Sequence, residues 1–244
     1  MKVSFAALHP LFGTKNNRKS LAYQQRSPYY WWWAYLRRNE KYIACCSNGG
    51  VGELADLYKD FGDVRSEDFH KWWIEGDRGA TLFGYKHEAS VKVLASASEW
   101  DANWTNENML VVAFPLTSNK RYLRNAFAEL LKKRHTAKRG RTKDKWTNNN
   151  AKYKINRNFT KESLQTALYV YDAYVENLKK AKKEQLTLWQ LGEMLKLVPT
   201  AMPKSNDTRE DKIVKRSTMA VSVNRYVRQA QRIVEGTALG KFPI

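Results

Sequence analysis

Apolar side chains crowd one stretch of this chain, residues 29–45, where Tyr29, Tyr30, Trp31, Trp32, Trp33, Tyr35 and Leu36 leave almost no polar face. A helix that is apolar on most sides is buried on most sides. Ser27-Pro28 immediately before it is a helix start, with Ser as N-cap and Pro at the first helical position, and Asn48-Gly49-Gly50 closes it. Short helices are predicted at 52–61 and 67–75, the second with Phe69, Trp72 and Trp73 facing inward. Residues 80–86, 89–96 and 109–114 read as strands, because Val91-Lys92-Val93-Leu94 and Leu110-Val111-Val112-Ala113-Phe114 favour extended backbone.

Past residue 116 the pattern turns helical. Thr117 or Ser118 is placed to cap a helix with apolar positions Leu123, Phe127, Leu130 and Leu131, whose last turn, Lys132-Lys133-Arg134-His135, complements the helix dipole. A loop follows at 136–150. A helix over 160–183 would set Leu164, Leu168, Tyr171, Val175 and Leu178 on one stripe. Thr187 with Gln190 has capping-box spacing for a short helix carrying Leu188, Leu191, Met194 and Leu195, and Pro199 and Pro203 bracket the loop beyond it. Asp207 with Glu210 offers a second box before a long final helix that Gly236 would end.

The expected class is α+β, with aromatic-rich helices and a small sheet in the N-terminal half and a mainly helical, basic C-terminal half. The boundaries drawn are an aromatic-rich α+β domain at 1–116, a basic helix and loop at 117–150, and a helical domain at 151–244 expected to bind nucleic acid.

Charge sharpens that division. Residues 1–118 hold 14 Lys+Arg against 13 Asp+Glu, whereas residues 119–244 hold 29 against 11, and the whole chain carries +19. Surface Lys and Arg release condensed counterions from phosphates, so a polyanion such as nucleic acid is the expected partner of the basic half. Its densest run, 120–145, contains eleven basic residues and two acids. Within it Lys132, Lys133, Arg134, Lys138, Arg139, Arg141, Lys143 and Lys145 are candidate nucleic-acid contacts. The 138–143 portion has no apolar residue to bury, so it suits a basic arm on phosphates or in a minor groove. A solvated charge run is the plain alternative.

The final helix has more definite geometry. At about 100° per residue, Ala220, Val223, Val227, Ala230 and Val234 share one face and Arg225, Arg228 and Arg232 lie opposite. An apolar face that docks and an Arg stripe that faces out suit a helix laid along DNA or RNA, with Ser222 and Asn224 able to add hydrogen bonds. An ordinary amphipathic surface helix would look similar. A strict helix-turn-helix is absent, because the link between the last two helices far exceeds the usual 3–4 residues. The contiguous aromatics at 29–35 fit core packing better than base stacking, which would interleave them with basic residues.

Catalytic chemistry finds little purchase. His9, His70, His87 and His135 are scattered, and Cys45-Cys46 makes neither a disulfide framework nor a zinc site. Glu67, Asp68, Glu75 and Asp77 could serve Mg²⁺ in a nuclease, against the simpler reading of a solvated acidic face. No phosphate loop, nucleophile elbow or kinase signature is present. No catalytic residue, metal or cofactor is therefore expected. No apolar run approaches the ~20 residues that span a bilayer, His9-Pro10 interrupts the apolar start before a signal-peptide core is complete, and a reducing cytoplasm is the expected setting.

The string Ser27-Pro28-Tyr29-Tyr30-Trp31-Trp32-Trp33-Ala34-Tyr35-Leu36-Arg37-Arg38-Asn39-Glu40 resembles an uncharacterised group of bacterial proteins associated with plasmids, prophages and genomic islands. Leu57-Tyr58-Lys59-Asp60-Phe61-Gly62-Asp63-Val64-Arg65, the stretch 186–200 and the ending 236–243 look like the same group. The Trp-aromatic-Leu-Arg-Arg-Asn core is also similar to a short domain of transcription-regulator-like proteins. These resemblances imply a bacterial, cytoplasmic, mobile-element setting, compatible with regulation, replication or defence, and assign no activity or catalytic residue.

Three readings are carried forward. The first is a non-enzymatic, regulatory or accessory DNA-binding protein of a mobile element, with a protein partner docked through the aromatic half and no membrane contact. The second is an RNA-binding subunit of a ribonucleoprotein or phage-defence complex. The third is a metal-dependent nuclease.

Overall fold

The computed structural model describes residues 3–85, 93–100, 104, 110–135, 150–156 and 160–243. The fold is α+β, dominated by helices, with short antiparallel strand pairs in the N-terminal half. Its contacts divide the chain into one unit of Met1–Lys86 with Lys143–Ile244 and a second of His87–Thr142. These divisions fall elsewhere than the sequence boundaries at 116 and 150, because the aromatic N-terminal helices and the C-terminal helices build a single core.

The first unit opens with β1 (Ser4–Phe5), then the hairpin β2 (Gly13–Thr14) and β3 (Asn17–Arg18), then a single turn, α1 (Leu21–Gln24). α2 (Pro28–Leu36) begins where Ser27-Pro28 predicts, and the Ser27 hydroxyl accepts from the Tyr29 N–H at 3.3 Å. The expected single helix over 29–45 is in fact two. Asn39 interrupts it: its side-chain oxygen caps α3 (Glu40–Ser47) by accepting from the Tyr42 N–H at 2.9 Å, and its amide donates to the Val234 carbonyl at 3.2 Å. A side chain that caps the next helix favours a break at this residue.

α4 (Ala55–Phe61), α5 (Phe69–Ile74) and α6 (Arg78–Phe83) follow, the second capped by Asp68. The strand expected at 80–86 is replaced: its first residues belong to α6, and among the described residues Gly84–Tyr85 alone is extended, pairing as β4 with β1 in the register Ser4↔Tyr85 and Phe5↔Gly84. Helix wins because it buries both Leu82 and Phe83, and because Gly79 lets the turn close on the Trp73 ring, where a Cβ would stand 2.1 Å away.

Around α2 the rings interlock. Trp31, Trp32, Trp33, Tyr35 and Leu36 are all buried. Trp32 stacks on Phe242 at 5.4 Å, Phe69 on Trp72 at 5.8 Å, and Trp73 on Phe83 at 5.8 Å. The same cluster takes in Leu164, Ala167, Leu168, Ala230, Ile233 and Val234 from the C-terminal helices. Polar ties reinforce it: the Tyr35 hydroxyl donates to the Leu164 carbonyl at 2.9 Å, and the Arg38 guanidinium holds Asp172 through two bonds of 3.0 and 2.6 Å. A planar fork on a carboxylate fixes orientation as well as distance.

In the second unit the described residues of the other expected strands, 93–96 and 110–114, form no strand. Leu110, Val111 and Phe114 are exposed, and no described strand lies beside them to complete a ladder. Residues 86–92 and 109 lie outside the described residues. This unit's helix, α7 (Lys120–Arg134), is capped not by Thr117 or Ser118 but by Asn119, whose side chain accepts from the Arg121 N–H at 2.8 Å.

Candidate nucleic-acid interface

Three helices of the first unit carry the candidate surface: α8 (Lys161–Lys179), α9 (Leu188–Met194) and α10 (Arg209–Ala238). Thr160 caps α8 by accepting from the Ser163 N–H. The inward stripe of α8 holds Leu164, Ala167, Leu168 and Val170, and it ends on Asn177 rather than on Leu178, which is exposed. Asn177 turns in because its amide completes two bonds to the backbone of Leu186, at 2.8 and 2.9 Å, and so closes the link to α9.

α9 starts as its spacing predicts, with the Gln190 side-chain oxygen accepting from the Thr187 N–H at 2.9 Å. Leu191 is buried, while Met194 is exposed. Gly192 sets how closely α9 meets α10, since a Cβ there would lie 2.3 Å from Met219 Cγ.

The capping box of α10 lies one residue beyond the predicted pair. Thr208 and Asp211 bond reciprocally at 3.0 and 3.1 Å, while Asp207 accepts from the Lys204 N–H and pairs with Lys215, tying the preceding loop to the helix. Nor does Gly236 end the helix. It is buried within the last turns, and Gly240, at φ +65°, makes the left-handed stop.

The face assignment on α10 holds in the structure. Val223, Val227, Ala230 and Val234 are buried, joined by Met219 and Ile233, and Ala220 is half-buried. Val223 and Val227 meet Val170 and Leu191 in a small cluster between α8, α9 and α10. Arg225, Arg228 and Arg232 all lie exposed on the opposite side, and none of them forms an ion pair with a described residue. The Arg225 guanidinium rests 5.1 Å from the Tyr226 ring. Ser222 and Asn224 are half-buried flanks of the stripe. At 1.5 Å rise per residue the three arginines span about 10 Å of the helix. Their opposite face is buried in the core, so the three guanidiniums stand in a row on an anchored helix.

The other predicted contacts divide in two. Lys132, Lys133 and Arg134 occupy the last turn of α7 and are exposed, with Lys132 3.8 Å from Glu129. α7 has no buried residue, and the aromatic contact of its Phe127 is with Phe114 at 5.5 Å. Lys138, Arg139, Arg141, Lys143 and Lys145 lie outside the described residues.

The acidic set raised for a nuclease is dispersed over structural tasks. Asp68 caps α5 by accepting from the Lys71 N–H at 3.0 Å, Glu75 pairs with Arg78 at 3.0 Å, and Glu67 stands 3.9 Å from Arg37. Among the described residues no three His, Cys, Asp or Glu side chains converge as metal ligands. Cys45 and Cys46 are buried free thiols, and burial raises the Cys46 pKa. The aromatics of 29–36 are engaged by this chain's own core rather than presented outward. No helix among the described residues is long and apolar enough to cross a membrane.

A surface that sequence reasoning passed over lies in the nominally neutral half. No acidic residue precedes Glu40, so the local charge of the first 39 residues is wholly positive, a fact hidden by averaging over residues 1–118. Comparison with known proteins adds no relative: no family model, curated protein or solved structure matches the chain.

Proposed function

We infer that this chain is a non-enzymatic nucleic-acid-binding protein that prefers duplex DNA and uses the outer face of α10 as a principal contact. The observation that carries the reading is the row Arg225, Arg228 and Arg232, exposed and without described ion-pair partners on a helix whose other face is held in the core. Lys132, Lys133 and Arg134 add cationic surface on the second unit. An α-helix about 10–12 Å across suits the ≈12 Å major groove of B-DNA, whereas the deep, narrow major groove of A-form RNA does not admit one. Phosphate contacts would supply most of the affinity and make it salt-dependent. The biological setting we attach is a regulatory or accessory role in a bacterial mobile element, resting on the resemblance of the Ser27–Glu40 string and its companions alone.

The test is fluorescence anisotropy of the full chain with matched duplex DNA, single-stranded DNA and structured RNA over a salt series. Tightest binding to duplex with a steep log–log salt slope is expected. A consistent preference for structured RNA would replace this reading with the ribonucleoprotein one, and no binding to any of the three at low salt would defeat both.

A further inference from the structure

The hairpin of β2 and β3 projects from the aromatic core. Gly13 pairs with Arg18 and Thr14 with Asn17, so Lys15-Asn16 form a two-residue turn, the tightest common hairpin connection. The backbone there is tightly specified. Gly13 sits at φ +81°, a Cβ on it would fall 2.2 Å from the Asn17 carbonyl oxygen, and the Asn17 N–H donates to Thr14 Oγ1 at 3.2 Å. At the base, the Lys19 N–H donates to the Phe12 carbonyl at 2.9 Å, and the Phe12 ring lies 4.4 Å from His70 and 5.8 Å from Phe69. The hairpin is therefore rooted in the ring cluster while residues 13–20 are all exposed.

Its chemistry is one-signed. Residues 13–26 contain Lys15, Arg18, Lys19 and Arg26 and no acid. None of these four forms an ion pair with a described residue. The Tyr23 ring gathers two of them, with Lys19 Nζ 5.4 Å and the Arg26 guanidinium 4.5 Å from its centroid. Four exposed cations without ion-pair partners among the described residues make a local positive potential that suits an external anion.

We propose that this hairpin is a second DNA contact, a basic wing whose Lys15-Asn16-Asn17-Arg18 tip enters a duplex minor groove while Lys19 and Arg26 hold the flanking phosphates. The inference rests on the nucleic-acid reading above and adds a separate site to it. Lys, Arg and Asn are the residue types with which minor-groove arms read width and the A·T-versus-G·C pattern. An anionic membrane would instead favour aromatic or aliphatic side chains at the tip. The exposed Leu8, Leu11 and Leu21 all lie outside the hairpin's turn.

The experiment compares the wild-type chain with K15A/R18A/K19A on A·T-rich and G·C-rich duplexes, by anisotropy over a salt series, with circular dichroism to verify folding. The substituted side chains are exposed, so the fold is expected to be unchanged. The variant should bind the A·T-rich duplex roughly tenfold or more weakly, with a log–log salt slope smaller by about one for the phosphate contact of Lys19. N16A/N17A should narrow the difference between the two duplexes. If the wild type binds duplex and K15A/R18A/K19A binds it equally well, the wing is wrong and the nucleic-acid reading survives. If the wild type binds no nucleic acid, that reading fails and takes the wing with it. Binding to phosphatidylserine vesicles that K15A/R18A/K19A abolishes, without duplex binding, would overturn the proposal in favour of a membrane surface.

Discussion

Helices α7 and α10 are written in the same idiom, an apolar stripe beside a basic one, and the structure treats them in opposite ways. On α10 the stripe from Met219 to Val234 is buried against α8, α9 and α2. On α7 no residue is buried, and Leu130 and Leu131 remain 38% and 37% exposed. An amphipathic pattern states that a face can be covered, not that another element arrives to cover it. If both helices met a ligand, the arginines of α10 would be held by a face buried in the core, whereas those of α7 would stand on a helix with no buried residue.

The sharpest way to break this comparison is to put a charge into each stripe. Val223→Asp places an unpaired carboxylate in the α8–α9–α10 cluster and should cost more than about 3 kcal/mol in urea unfolding. Leu131→Asp on α7 should change stability by less than about 1 kcal/mol. Similar losses at both sites would mean that α7 is anchored after all.

Asn39→Ala tests what holds α10 to the aromatic core. It removes the cap of α3 and one of the bonds on the Val234 carbonyl, which keeps the Thr237 hydroxyl at 2.7 Å, an expected loss of about 1 kcal/mol set mainly by the cap. Asn39→Asp keeps the acceptor for the Tyr42 N–H but sets a buried carboxylate oxygen against the Val234 carbonyl, so it should be no more stable than Asn39→Ala.

The core also predicts an alkaline limit. Burial pushes the Tyr29 phenol up from 10.0 to about 12, and burial likewise raises Tyr35, Tyr42 and Tyr153. A folded-state pKa above the unfolded one means that the native state binds more protons inside that window. The stability these tyrosines contribute is complete below pH 10 and is lost as pH climbs from 10 toward 12. Thermal melts across that interval should show Tm falling. Tyr29→Phe should reduce the fall, at the expense of the bond its hydroxyl accepts from the Ala7 N–H.

Much of this was legible in the chain, and the misses share a cause. Ser27-Pro28, Thr187 with Gln190, and the two faces of α10 were readable because caps and helical period are local. The break at Asn39 was not, since one partner of its side chain, the carbonyl of Val234, is remote in sequence. Asn177 was passed over as a polar residue because its partners lie across the turn to α9. Leu110-Val111-Val112 looked like a strand because β-propensity reports packing on neighbours, and the described residues supply none. Among the candidate contacts, the exposed placement of the α10 arginines was legible through their spacing. Lys15, Arg18, Lys19 and Arg26 were obscured by a charge total taken over too long a window, although the lack of any acid before Glu40 was there to be read.

The effect on stability should be smallest at the outer arginines, and that contrast gives the most direct test. Duplex binding would be measured for R225A/R228A/R232A over a salt series, with K132A/K133A/R134A on α7 as the matched removal of three charges. The account predicts that R225A/R228A/R232A melts within a few degrees of wild type, binds far more weakly, and loses about three from its log–log salt slope. The α7 variant should lose less affinity. Unchanged duplex binding by R225A/R228A/R232A would contradict the central claim that the outer face of α10 meets DNA.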